Sequence, residues 1–276
     1  MGDVLLKLND APAIPLEPNG LRLPLTVPAA REPANSASEA ESTPQSRQIL
    51  RFRRSERLLH WSIAIPFMVC FATGIILLAF YNLHSQSASR DVYSWLHRIS
   101  GACLIVFPTF SVVTHWSDFS LHWYNVKEAW VWAIVDLKWL ALMGLSVFNR
   151  RITLPEQGKF NAAEKLNFLM VMCTVPLYIA TGLHLWMPGI KFLSWIVHVG
   201  MALVATPLML GHIYMALINP DTRVGLGGML SGYVDRQWAK HHYRRWYRET
   251  FADETEPTTS TETPHSAETR RFYRAP

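Results

Sequence analysis

The chain has 276 residues, half of them hydrophobic, with 11 tryptophans, three cysteines and a formal net charge of +5. Its apolar residues are gathered into long runs, which excludes an ordinary soluble domain and points to one all-α membrane domain with polar tails. Cys70, Cys103 and Cys173 lie inside these runs and form no C-x-x-C pair, which excludes a disulfide framework, a thiolate metal site and a thioether-linked cofactor. The positive charge belongs to membrane topology and not to a nucleic-acid surface.

Residues 1–46 are rich in Pro, Ser, Ala and Glu and have no core-forming run, so they read as a disordered N-terminal tail. No charged segment leads into a short apolar one there, so no signal peptide is expected and the first span must act as the insertion signal. Four runs reach the roughly 20 residues a spanning helix needs: 60–80, 96–116, 166–186 and 193–218. Each carries an internal proline, Pro66, Pro108, Pro176 and Pro207, which membrane helices tolerate. Ala-Thr-Gly occurs at 72–74 in the first span and again at 180–182 in the third, a short trace of an internal repeat.

Arg47, Arg51, Arg53, Arg54 and Arg57 precede the first span. Lys127, Lys138, Arg150, Arg151, Lys159 and Lys165 lie between the second and third, and Arg223, Arg236, Lys240, Arg244, Arg245 and Arg248 follow the fourth. The other two connections carry one clear cation each, Arg90 and Lys191. The positive-inside rule puts both termini and the long loop in the cytoplasm of a bacterial inner-membrane protein. Residues 126–148 within that loop could form a fifth span. Asp136 and Lys138 at its middle would each cost about 2.5–3.5 kcal/mol there, so the stretch reads as an interfacial amphipathic helix. The membrane domain then covers 47–251, and residues 252–276 are polar and read as a disordered C-terminal tail.

An ionisable side chain inside a spanning helix is costly and marks a functional site by default. His198 and His212 are fourteen positions apart in the fourth run. That is close to four turns and about 21 Å of rise, so both rings leave one face, one near each membrane surface. The topology places His60 near the inner surface and His97 near the outer one. Two couples follow, His60 with His212 and His97 with His198, each supplying two imidazoles at matched depth from different helices. Bis-histidine ligation of a haem iron needs this arrangement. Zinc needs more ligands than two, and no carboxylate lies within the spans to complete a non-haem iron site. Gly101, Gly200 and Gly211 leave room beside the rings. His115 could replace His60, and His184 could replace His97. His84, His122, His241, His242 and His265 fall in loops or tails.

The segments around these histidines resemble a known family. Arg57-Leu58-Leu59-His60-Trp61, the string WLHRISG at 95–101, the spaced pair in the fourth span, KFNAAEK at 159–165 and RQWAKHHYRRWYR at 236–248 are similar to the γ subunit of membrane-bound formate dehydrogenases. The resemblance covers residues 51–249. The histidine pattern alone is shared with the wider di-haem cytochrome b family, including the cytochrome b of nickel–iron hydrogenases. The resemblance implies two non-covalent b haems, the outer on His97 and His198 and the inner on His60 and His212. It implies a periplasmic iron–sulfur β subunit and a molybdenum or tungsten α subunit that oxidises formate. It also implies menaquinone or ubiquinone as acceptor near the cytoplasmic face, with Asn161 as the quinone's hydrogen-bond donor. Asn161 reads equally as a helix N-cap with Glu164 closing a capping box.

No acid–base or nucleophile cluster, cluster-type cysteine run or nucleotide-binding fingerprint is present, so formate chemistry must sit on another subunit. A hydrogenase or thiosulfate-reductase cytochrome b is the first alternative. A haem-free anchor or small transporter is the second, though transporters place their sites near the midplane.

Overall fold

The computed structural model describes residues 47–81, 87–146, 148, 149, 151–251 and 264–273. The N-terminal tail read at 1–46, His84 and Arg150 lie outside the described residues.

Helix α1 spans Arg54–Phe80; the Glu56 carboxylate accepts the Arg53 N–H at 2.8 Å and closes its first turn. Helix α2 spans Ala88–Thr114, two turns longer at its start than the hydropathy run, because the Ser87 hydroxyl accepts the Arg90 N–H at 3.3 Å. A short 3₁₀ turn, Trp116–Asp118, leads into α3, Phe119–Trp130, and then α4, Ile134–Ser146. Helix α5 spans Ala162–Trp186 and α6 spans Phe192–Ile213. A wider π turn, Tyr214–Ile218, prolongs α6 and is closed by the Asn219 N–H on the Tyr214 carbonyl at 2.9 Å.

Four of these stretches are long and apolar enough to cross a membrane: α1, α2, α5, and α6 with its π turn. They pack as two hairpins, α1 on α2 and α5 on α6, joined by contact between α2 and α5. Ile65, Leu78, Phe110 and Val204 on them are exposed. In water such faces would be a liability; in a bilayer they meet acyl chains.

The stretch 126–148, read as one amphipathic helix, is two helices bent by 70° at a short break. Asp136 makes the break possible. Its carboxylate accepts the Ala133 N–H at 2.9 Å and pairs with the Lys165 ammonium at 3.0 Å. Lys165 also donates to the Val131 carbonyl at 2.9 Å. Both charges are buried and paired with each other, which offsets part of the cost of burying either one alone.

The densest core lies outside the spans. Strand β1, Gln48–Leu50, pairs antiparallel with β2, Tyr233–Asp235, with Ile49 opposite Val234. Helix α7, Val224–Ser231, ends at Gly232, whose φ of 97° is left-handed. A Cβ there would sit 2.8 Å from the Phe52 carbonyl oxygen, so only glycine fits. Helices α8, Arg236–His242, and α9, Arg244–Phe251, follow. Helix α10, Pro264–Tyr273, packs on α9.

This corrects the reading of 252–276 as wholly disordered. Thr269, Phe272 and Tyr273 are buried, and the Tyr273 hydroxyl donates to Glu56 at 2.9 Å. Two buried aromatic side chains and a buried hydrogen bond outweigh the polar composition of the rest of the segment. These elements form a clasp that ties the start of α1 to α3, to the loop before α5 and to the chain's end.

Candidate functional site: two histidine couples

Four of the eleven histidines meet in two couples between helices. The His60 and His212 rings, on α1 and α6, have centres 6.4 Å apart. The His97 and His198 rings, on α2 and α6, have centres 6.1 Å apart. The remaining ring-to-ring histidine approach among the described residues, His241 with His242, is between chain neighbours. The spacing of the two couples has a chemical meaning. An imidazole nitrogen sits about 2.0–2.1 Å from a bound first-row metal ion, and roughly 1 Å separates that nitrogen from the ring centre. Two rings on opposite sides of one ion are then about 6 Å apart, centre to centre.

His115 and His184 have other partners. His115 caps the end of α2, its Nδ1 3.2 Å from the Ser111 carbonyl. His184 Nδ1 is 2.6 Å from the Ser194 hydroxyl. Neither stacks with another histidine among the described residues. No three His, Cys, Asp or Glu side chains converge among the described residues, so the couples stand as two-ligand sites. That donor set suits haem, whose porphyrin supplies the other four ligands, and does not suit a closed zinc site.

The Ala-Thr-Gly repeat now has a physical role. Thr73 donates its hydroxyl proton back along α1 to the Val69 carbonyl at 2.7 Å. Its oxygen lone pair then faces His97 Nδ1 at 3.0 Å. Thr181 does the same on α5, donating to the Leu177 carbonyl at 2.6 Å and facing His198 Nδ1 at 2.8 Å. The Cys70 carbonyl is a second acceptor for His97 Nδ1, also at 3.0 Å. The Cys70 carbonyl can only accept, so His97 carries its proton on Nδ1; Thr181 is placed to accept from His198 Nδ1 when Nε2 is the ligating nitrogen. The next residue is a glycine in both copies. A Cβ on Gly74 would touch His97 Cε1 at 3.5 Å, and one on Gly182 would touch His198 Cε1 at 3.6 Å. The first helix of each hairpin thus holds the histidine of the second in the same way. Thr73 and Thr181 were not singled out from the sequence as site residues. The repeated tripeptide was the signal, but its register against the following histidine is visible only once the hairpins are paired.

Asn161 is the N-cap of α5. Its Oδ1 accepts the Glu164 N–H at 2.9 Å, and Glu164 accepts the Asn161 N–H at 2.9 Å, which is a closed capping box. The other polar residues of that segment are also occupied. Lys159 pairs with Glu56 at 2.5 Å and with the Asn125 carbonyl oxygen at 2.5 Å. Burial pulls the Lys159 ammonium down to about 8, while Glu56 pulls the other way and keeps it charged at neutral pH. Glu164 accepts the Tyr243 hydroxyl at 2.5 Å. Burial, and then the Glu164 charge, push Tyr243 well above its usual range. Arg51 lies over the rings of Tyr243 and Trp246 at 4.0 and 4.3 Å and donates to the Lys159 carbonyl.

The family model described as prokaryotic cytochrome b561 matches residues 51–232. The chain belongs to the prokaryotic cytochrome b561 family. It is 25% identical to the formate dehydrogenase, nitrate-inducible, cytochrome b556(Fdn) subunit of Escherichia coli K12, over 74% of this chain and 93% of the relative. Identity to the Escherichia coli K12 formate dehydrogenase cytochrome b556(fdo) subunit is also 25%, over 73% of this chain and 92% of the relative. The formate dehydrogenase cytochrome b556 subunit of Haemophilus influenzae is 22% identical, over 73% and 83%. This cytochrome b561-family chain is a multi-pass membrane protein, and membership implies haem b.

Proposed function

We propose that this chain is the di-haem cytochrome b subunit of a formate dehydrogenase complex. His97 and His198 hold the outer haem, and His60 and His212 the inner one. The observation that carries this is the pair of ring spacings, 6.1 and 6.4 Å, each close to what one iron between two imidazoles requires. Haem b supplies one-electron redox chemistry when bound. The protein's part would be to supply the imidazoles of His60, His97, His198 and His212 to the iron, orient the rings and exclude water with apolar spans.

The basic connections set both termini and the α3–α4 region on the cytoplasmic face. The short outer connections then face a periplasmic iron–sulfur subunit, which receives electrons from a molybdenum or tungsten catalytic subunit. Quinone, menaquinone or ubiquinone, is reduced near the cytoplasmic end, where the Asn161 side-chain amide, not used by the cap, donates to a quinone oxygen. Inward electron movement opposes an inside-negative potential by about 2.3 kcal/mol per 100 mV. The inner site must therefore have the higher reduction potential. Formate is favoured as donor over hydrogen or thiosulfate because the three relatives above are formate dehydrogenase subunits.

The test is a reduced-minus-oxidised spectrum of membranes holding the native complex. Formate should reduce the b-type α-bands, and a quinone analogue should reoxidise them. Bands that respond to hydrogen or thiosulfate and not to formate would reassign the donor. A purified chain without pigment would remove the reading altogether.

A further inference from the structure

The two histidine couples differ in what stands behind their rings. Behind the outer rings stand three groups able to accept from an imidazole N–H: Thr73 Oγ1, Thr181 Oγ1 and the Cys70 carbonyl. Each threonine can place its own proton on a helix carbonyl, Val69 or Leu177, leaving its oxygen to accept from the ring. Behind the inner rings the described residues supply no hydrogen-bond acceptor. His60 meets the edge of Trp61 at 5.3 Å between ring centres, and otherwise its partner His212.

A ligating imidazole that donates its Nδ1–H to an acceptor pushes more electron density through Nε2 to the metal. That favours the oxidised, more positive iron and lowers the reduction potential. We propose that Thr73 and Thr181 are positioning residues that make the outer site the lower-potential site of the two. The inference rests on the two-haem reading and adds its directionality. One electron leaves the outer site, oxidising it by one unit, and reduces the inner site by one unit. No proton need accompany it, because each outer ring keeps its proton on Nδ1. The near-symmetric Ala-Thr-Gly placement thus serves one site and is missing from the other.

The two threonines are not equivalent. His198 depends on Thr181 alone, whereas His97 Nδ1 also has the Cys70 carbonyl at 3.0 Å. Thr181→Val should therefore act more strongly than Thr73→Val.

The experiment is a redox titration of the α-band in the full-length chain carrying His60→Ala, which vacates the inner site and leaves one component to follow. Thr181→Val should favour the reduced form about tenfold, a rise of about 59 mV for one electron. Thr73→Val should give a smaller rise, and Thr181→Ser should restore the parent value. In the chain with His60 intact, the inner component should not move. An unmoved outer component with haem retained would overturn the inference, as would equal shifts in both components or a larger effect at Thr73. Should valine at 181 cost the site its haem, Thr73→Val gives the same reading with the Cys70 acceptor still in place. Absence of haem from the wild-type chain would overturn the two-haem reading itself; a haem-loaded chain with insensitive potentials overturns only the role of the threonines.

Discussion

In the clasp, Trp246, Thr250 and Thr269 are fully buried, and Lys159, Glu56, Asn125 and Tyr273 complete one another's hydrogen bonds. In the spans many large apolar side chains face outward, and the histidine rings of each couple have centres about 6 Å apart. The charged centre of the clasp, Glu56 with Lys159, Asn125 and Tyr273, is satisfied by the polypeptide alone. The spans expose apolar faces that only a bilayer satisfies, and the couples are the proposed haem sites. Stability and function are therefore separable by position: a change in the clasp should alter how much protein folds, and a change at a couple should alter what the folded protein carries.

The largest effect that would break this separation is at the couples. Removing one axial ligand should release one haem and leave the other. His198→Ala should halve the haem per folded chain, as measured by pyridine haemochrome. The double variant His198→Ala/His212→Ala should be colourless yet still membrane-inserted. Next comes Glu56→Ala, which leaves the Lys159 ammonium buried without its carboxylate. Unpairing a buried ion pair costs about 3–5 kcal/mol. Its thermal midpoint in detergent should fall well below wild type, while haem per folded chain stays at two. A loss of haem in proportion to nothing but the folded fraction sharpens the comparison; selective loss of one haem would blur it.

Asn161 separates cap from quinone site. Asn161→Ala should cost about 1 kcal/mol through the lost cap. Asn161→Asp keeps the cap acceptor and lacks the amide donor, so stability should hold while quinone reduction falls. If Asn161→Asp reduces quinone at the wild-type rate, its role is the cap alone.

The smallest effect is a pH dependence at the clasp's outer seam. His265 on α10 hydrogen-bonds Glu249 of α9 at 3.4 Å and lies 3.8 Å from Glu128 of α3. The Glu249 bond, reinforced by Glu128, raises the His265 pKa above its usual 6.5, against partial burial and the Arg245 charge. A raised histidine pKa adds stability that is complete below 6.5 and is lost as pH rises through the folded value. The thermal midpoint should therefore fall slightly as pH rises past neutrality, and His265→Gln should flatten that profile.

The spans were legible because a bilayer demands long apolar runs, and the couples because depth is fixed once topology is known. His60 and His212 are 152 positions apart in sequence, yet positive-inside counting put them at one level. The clasp was not legible. Its contacts join Glu56 to Lys159, Asn125 and Tyr273 across long stretches of chain, and no periodicity records such a meeting. Helix α10 was missed because its buried residues, Phe272 and Tyr273, sit at the end of a polar segment. The bend before Asp136 was missed because its partner, Lys165, belongs to another helix. Thr73 and Thr181 stood in view as a repeat, but a tripeptide does not say which ring it faces.

The most direct test of the central claim is the haem content of the purified wild-type chain beside its four single variants, His60→Ala, His97→Ala, His198→Ala and His212→Ala. Two haems per wild-type chain are predicted. One should remain in each variant, with His60→Ala matching His212→Ala in the surviving α-band and His97→Ala matching His198→Ala. A colourless wild type, full pigment in any of the four, or a different grouping of the surviving bands would contradict it.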